Sequence, residues 1–235
     1  MTVLKTTAVS LFVLLAPPAL AGSPINVPMT CPVGGESFEI TSTSSCSTTG
    51  RTMSFRPLTT CDWKTHMPAC PTNGLPIYRE FSTEEISHLE NHLETEDWKR
   101  DRKLPPLQRA FALAEHMGDT TAPFGFFMLL NAMWYEPTSF LKNDEQKDAF
   151  FAAAAVEIEE NRDGNGPFFQ AILAYTLALD AQTGRATSEL TKAREKTEAN
   201  PNLPDFLRQY ISSIEACLPD INVADCAPDA PLDLK

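Results

Sequence analysis

The chain has 235 residues, with 31 acidic and 19 basic side chains and a formal net charge of −12 at pH 7. Because an acidic surface repels a phosphate backbone, this balance argues against nucleic acid as a partner. The length allows one large domain, or a small module followed by a larger one.

The first 21 residues have the pattern of an export signal. Lys5 lies near the start, Val9–Ala16 is a short apolar run, and small residues at Ala19 and Ala21 predict cleavage after Ala21. A buried N-terminal helix is the alternative. Since the apolar run is too short to cross a bilayer and no longer one follows, we expect no membrane span and a periplasmic or secreted protein.

Residues 22–80 are rich in Ser, Thr, Pro and Gly, and predict a small β-rich cysteine module. Ser37–Thr41 alternates polar and apolar residues as a half-buried strand does, and Arg51–Phe55 and Thr59–Met67 are further candidate strands. Few large apolar side chains are available here. The module therefore has to be stabilised largely by cross-links.

Six cysteines in an exported chain predict a framework of disulfides. In chain order they are Cys31, Cys46, Cys61, Cys70, Cys217 and Cys226. The last two predict a bridge that staples the C-terminal tail, residues 217–235. The first four allow a nested pairing, a sequential pairing or a four-cysteine zinc site.

The pattern becomes helical at Phe81. Ser82 and Glu85 form a capping-box motif, and Phe81 and Ile86 occupy the positions of a hydrophobic staple. Helices are predicted over residues 82–97, 105–117, 123–136, 144–161, 167–181, 185–199 and 204–216. The predicted fold is thus mainly α, with an α-helical repeat-like domain over residues 81–216.

Small and apolar residues in Phe168–Glu198 fall at the packing positions of a tetratricopeptide repeat. They are Ala174, Leu177, Ala186, Leu190 and Ala193. A looser set precedes them: Ala132, Tyr135, Ala149, Ala153 and Val156. This spacing predicts a tetratricopeptide-like array of helical hairpins, and a bundle without repeats is the alternative.

Two short motifs, CPVGG at Cys31–Gly35 and CPTNG at Cys70–Gly74, precede these helices. With this order of parts, the chain resembles the bacterial domain-of-unknown-function family 2225. That resemblance implies an N-terminal zinc ribbon and tetratricopeptide-like C-terminal helices, and it implies no activity. The family has a second cysteine in each knuckle where Gly34 and Asn73 stand here, which removes two of the four expected metal ligands.

If the ribbon fold is kept, the two knuckles face each other and bring Cys31 close to Cys70. In an oxidising compartment two such thiols close into a disulfide, which replaces the metal. Cys46 and Cys61 then pair inside that loop. The resemblance therefore favours the nested pairing over the sequential pairing and the zinc site.

The first helix carries Glu85, His88, His92 and Glu96 at intervals of three and four residues, on one face. Histidines one turn apart can share a metal ion, and a solvated helix face is the alternative. His116, at the end of a later helix, is expected to complement the helix dipole. A metal (zinc)-binding protein that uses the cysteines or this face is our alternative function.

Aromatic residues crowd two of the predicted helices, and most of them are expected in the core. Phe168 and Tyr175, with Met133, are candidates for a ligand-facing stripe on the concave side of the array. No motif for nucleophilic catalysis or phosphate binding is present, so we expect no enzyme and no cofactor. The predicted function is an exported adaptor or scaffold that binds a protein or peptide.

Overall fold

A computed structural model describes residues 22–234, so the predicted export signal lies outside the described residues. The strands are β1 (Pro24–Thr30), β2 (Ser37–Thr43), β3 (Thr48–Thr52), β4 (Pro57–Thr59) and β5 (Pro231–Leu232). The helices are α1 (Thr83–His92), α2 (Glu96–Asp101), α3 (Pro106–Met117), α4 (Ala122–Tyr135), α5 (Pro137–Phe140), α6 (Asp144–Glu160), α7 (Gly166–Leu179), α8 (Thr183–Ala199) and α9 (Asp205–Cys217). The mainly helical class is confirmed.

The strands form two small antiparallel sheets. β1 pairs with β2, and β3 lies between β4 and β5. The sequence did not predict β1, because it contains Pro24 and Pro28. The two-stranded sheet tolerates these prolines, since β1 pairs only with β2 and its other edge needs no backbone N–H. The predicted strand over Thr59–Met67 is wrong, since only Thr59, the last residue of β4, belongs to a strand.

Most helix boundaries follow local signals, but the predicted helix over residues 82–97 is divided: α1 ends at His92, and Thr95 caps a separate helix, α2, that begins at Glu96. Ser82 accepts from the backbone N of Glu85 and completes the predicted capping box. α3 begins after Pro105 without a side-chain cap of its own. Instead the carboxylate of Glu136, at the end of α4, accepts from the backbone N of Leu107 (2.8 Å) and of Gln108 (3.3 Å). This capping from a neighbouring helix fixes the orientation of α4 against α3.

α7 is the central helix of the main core, because its residues are apolar on almost every side and nearly all are buried. It packs against α6, α8 and α9. Every predicted packing position of the α7–α8 pair is buried: Ala174, Leu177, Ala186, Leu190 and Ala193. The earlier set is packed less completely, since Val156 is exposed.

The module before residue 80 shares its packing with the helices. Met53 and Phe55 belong to the main core, where the Phe55 ring lies 4.6 Å from that of Phe168. A second core joins the Cys31–Cys70 bridge to Trp98 of α2. Composition predicts a boundary at residue 80, but each of the two cores contains residues from both sides of it.

The structure places the six cysteines in three pairs, with Cα atoms 5.5 to 5.6 Å apart. The pairs are Cys31–Cys70, Cys46–Cys61 and Cys217–Cys226, the nested arrangement. The last bridge turns the C-terminal tail back so that β5 reaches β3. No cysteine of the described chain is free.

Replacing Cys31 and Cys70 together by Ser should cost more stability than replacing Cys217 and Cys226. The bridges span sequence separations of 39 and 9 residues. In the chain-entropy model this corresponds to losses of roughly 4 and 2.5 kcal/mol in the free energy of unfolding. Urea unfolding of the two double variants measures the difference. Both cysteine pairs are buried, so the added serines are matched, and equal losses would contradict the entropic account.

Ala181→Gly should raise the free energy of unfolding. Ala181, just after the end of α7, has a φ of 58°, and the backbone N of Gln182 donates to the O of Leu177 at 2.9 Å, as in a Schellman turn. A side chain in this left-handed conformation costs roughly 1 kcal/mol, which glycine recovers. Urea denaturation should show this gain. The matched Ala155→Gly, at an exposed position within α6, should lose about the same amount, and a loss in both variants would refute the expectation.

Candidate functional site

The two CPxxG knuckles have the same backbone turn. In each, the cysteine N donates to the carbonyl five residues later: Cys31 to Glu36 (2.8 Å) and Cys70 to Leu75 (2.9 Å). The Glu36 carboxylate accepts from the backbone N and the hydroxyl of Thr72 in the second knuckle. The knuckles therefore face each other, with the disulfide between them.

Asn73 bonds both knuckles through its side-chain amide. Its Oδ1 accepts from the backbone N of Leu75 at 2.9 Å, and its Nδ2 donates to the carbonyl of Val33 across the pair at 3.3 Å. The side-chain amide thus closes its own turn and bonds the opposite knuckle. Because both sulfurs are in a bridge, no thiolate remains here for zinc.

Glu85, a candidate metal ligand, is engaged by Arg79 instead. The guanidinium donates to both carboxylate oxygens, at 2.7 and 3.0 Å, and its Nε donates to Asp119 at 2.8 Å. The Arg79 bonds, followed by the backbone N–H of Ser82, lower the pKa of Glu85 to about 2. Arg79 thereby links the start of α1, at Glu85, to the loop after α3, at Asp119.

The helix-face histidines lie beside His116, which comes from α3. His88 Nε2 is 3.1 Å from His116 Nε2, and the His92 ring stacks on the His116 ring with centroids 3.6 Å apart. Burial lowers the pKa of His92 and of His116, and the neighbouring histidines add to the effect in both. The imidazoles of His92 and His116 are therefore neutral at neutral pH.

The candidate metal set is thus rearranged. Glu85 is bonded to Arg79. His88 contacts His116, whereas the helical spacing predicted that it could share a metal ion with His92. Within residues 22–234, no group of three or more His, Cys, Asp or Glu side chains is placed to hold a metal ion. The sequence predicted only that His116 complements the helix dipole, because no rule of residue spacing relates it to residues on another helix.

The predicted ligand-facing stripe is wrong as a surface. Tyr175 and Met133 are both 0% exposed, and the Tyr175 hydroxyl donates to the carbonyl of Cys226 at 2.7 Å. Phe168 is half-buried against Phe55 and Tyr210. The side of α7 that was expected to be open is covered by the segment Met53–Phe55 after β3, by α9 and by the C-terminal tail.

An uncovered apolar groove lies elsewhere, along α4. Phe127 is 46% exposed, the largest exposed fraction among the large apolar side chains of the described chain. The groove has a volume of about 420 Å³, and its lining includes Pro123, Phe124, Phe127 and Met128 from α4 and His66 and Met67 from the opposite loop. Burial lowers the pKa of His66, so the lining is uncharged at neutral pH.

Sequence reasoning missed this groove because α4 is apolar on nearly all sides. Such a pattern predicts burial of the whole helix and cannot indicate which side lacks a neighbour. The only usable signal was the run of Phe124, Phe127 and Met128 at helical spacing, which is equally typical of a core.

Comparison of the chain with protein-family models, with curated proteins and with solved structures finds no match. The resemblance to family 2225 therefore stays a prediction based on the two knuckles and the order of elements. Among residues 22–234, no helix combines the length and the apolar character needed to cross a membrane.

Acid should destabilise the protein partly through Glu85. A carboxyl group whose pKa is lowered by folding adds stability above its unfolded pKa, and this contribution is lost as the pH falls. We expect Glu85→Gln to flatten the dependence of the free energy of unfolding on pH between about pH 5 and pH 2. Urea unfolding across that range is the measurement. Glu84→Gln, which removes an exposed carboxylate from the same turn, is the control; identical slopes in the two variants would contradict this role.

Proposed function

We propose that this is an exported, non-enzymatic protein-interaction protein, an adaptor whose α4 groove binds an apolar segment of a partner. The observation that carries the proposal is the exposure of Phe127 in a groove lined by apolar side chains. Exposed aromatic and methionine side chains that converge on one groove are typical of protein-binding surfaces.

The chemistry of the groove specifies the partner segment. An uncharged, apolar lining favours an aromatic or aliphatic anchor, since a buried charge would have no counter-ion there. The chain as a whole carries a net charge of −12, which favours Lys or Arg on either side of that anchor. The proposed partner is therefore a protein segment with one apolar anchor and basic flanks.

Export is supported by the three cysteine pairs. Disulfides persist in oxidising compartments, and three bridges with no free cysteine in the described chain fit a periplasmic or secreted protein. This supports export, which the N-terminal pattern also predicts.

We further propose that α7 and α8 form a tetratricopeptide-like hairpin and that the chain is a distant member of family 2225. The buried alanines between the two helices and the short turn at residues 180–182 support the first point. The matched knuckle turns support the second, with the Cys31–Cys70 bridge in place of zinc. The zinc-binding alternative is less well supported, because the cysteines are paired and Glu85 is bonded to Arg79.

Selection of peptides from a displayed library on the mature chain tests the groove. Enriched peptides should share an apolar anchor with basic flanks. Phe127→Asp should weaken their binding at least about tenfold, because it removes the central aromatic contact and adds a charge to an apolar lining. Fluorescence polarisation with synthetic peptides measures the affinities.

The matched control is Val223→Asp, which adds the same charge at a position exposed to nearly the same degree, 45%. It should leave the affinity within about twofold, since it lies outside the groove. Peptides that bind Phe127→Asp and the unmodified chain equally well would overturn the groove proposal, as would a selection that enriches no sequence.

A further inference from the structure

His66 forms part of the wall of the α4 groove, in the loop that faces the helix. Its ring stacks on the ring of Tyr135 with centroids 3.6 Å apart, and its Nε2 lies 3.3 Å from the carbonyl O of Asp62. The guanidinium of Arg56 lies 5.6 Å from the centre of the same Tyr135 ring. These contacts hold the imidazole at the groove.

His66 is also the residue of the groove whose charge can change near neutral pH. Of the described residues that line the groove, the others are apolar except Asn131, which carries no charge. Because a carbonyl oxygen only accepts a hydrogen bond, Nε2 carries the proton of the neutral ring and Nδ1 gains the second proton in acid. Protonation therefore adds a single positive charge to an uncharged wall.

The groups that face His66 leave this charge largely uncompensated. They are Asp62 and Lys64 of its own loop, Arg56 of the turn between β3 and β4, and Tyr135 of α4. The Asp62 carboxylate is itself bonded to the Arg56 guanidinium at 3.3 Å. Burial raises the pKa of Tyr135, so its hydroxyl stays neutral in the range where an imidazole titrates.

The pKa of His66 is lowered, mainly by burial, and repulsion from Lys64 and Arg56 adds to the effect. The bond to the Asp62 carbonyl and the charge of the Asp62 carboxylate act in the opposite direction and do not cancel it. The ring is therefore neutral at pH 7 and titrates below the ordinary imidazole value of about 6.5. The groove gains its charge in mild acid.

A bound segment would make the protonated form of His66 less favourable still. An apolar anchor in the groove removes water from around the ring, and desolvation disfavours the charged form. Basic residues on either side of that anchor repel an imidazolium directly. The proton and the segment therefore compete, and such linkage acts equally in both directions.

We propose that His66 makes the α4 groove pH-sensitive, so that a segment with an apolar anchor and basic flanks binds at neutral pH and is released in mild acid. This inference rests on the proposed function of the groove and adds its regulation by pH. The titrating side chain is part of the binding surface, so release needs no distant conformational change.

Fluorescence polarisation of a labelled peptide with the mature chain tests the proposal. The probe is a blocked heptapeptide with one Phe between two Leu and two Lys at each end, which has no group that titrates between pH 5 and pH 8. Its affinity should be at least about threefold weaker at pH 5.0 than at pH 7.5. In His66→Gln the affinities at the two pH values should agree within about 1.5-fold, because glutamine does not ionise.

The matched control is His88→Gln, which removes an exposed histidine on α1, outside the groove. It should keep the pH dependence of the unmodified chain. Circular dichroism at both pH values checks that each variant is folded. Equal pH dependence in His66→Gln and the unmodified chain would overturn the assignment to His66, and a pH-independent affinity in the unmodified chain would overturn the regulation altogether.

NMR titration of the imidazole C–H signals of the unmodified chain gives a second readout that needs no variant. The pKa of His66 should fall further when the heptapeptide is bound, and an unchanged pKa in the complex would contradict the proposal. Phe127→Asp separates the two proposals. Peptide binding that does not depend on Phe127 would refute the groove and this regulation with it, whereas Phe127-dependent binding that is equal at both pH values would refute the regulation alone.

Discussion

The segment Met53–Phe55 joins the N-terminal module to the helices and to the C-terminal tail. The backbone N of Met53 donates to the carbonyl of Ala230 in the C-terminal tail at 2.8 Å. The carbonyl of Met53 accepts from the Tyr210 hydroxyl of α9, and the carbonyl of Ser54 accepts from the Trp134 indole of α4. All of these groups are in or beside the main core, where an unpaired carbonyl would be costly. Phe55 has a φ of 62°, a conformation that costs roughly 1 to 2 kcal/mol and that its ring contacts offset.

The position of this segment decides which surfaces remain for binding. Because it packs with α9 and the tail against α7, it buries the side on which a helical array would be expected to bind its ligand. Among residues 22–234, no element covers the outer side of α4 in the same way, and Phe127 stays exposed. The proposed binding groove therefore lies along α4 and not beside α7, where Met53–Phe55 is packed.

The two knuckles are held together by a disulfide and by side-chain hydrogen bonds. The disulfide supplies the covalent link between the turns, Asn73 supplies the hydrogen bonds within and between them, and Glu36 binds the opposite turn. The bridge is also part of the second core, against Leu89 and Trp98, so it positions α1 and α2. α1 in turn carries His88 and His92, which contact His116 of α3.

Local signals in the sequence determined most of the helices, though not the separate α2 and α5, together with the capping box at Ser82 and Glu85 and the alanine positions buried between α7 and α8. These depend on hydrogen bonds and side-chain spacing within a few residues, which any fold of the chain must satisfy. The cysteine spacing left three arrangements open, and the resemblance of the knuckles to a zinc ribbon favoured the nested pairing that the structure shows. Only the tertiary structure decided that β3 pairs with β5, that His88 meets His116, that Tyr175 is buried and that Phe127 is not. Each of these depends on which distant segment covers a given face, and an apolar helix looks the same in sequence on its covered and uncovered sides.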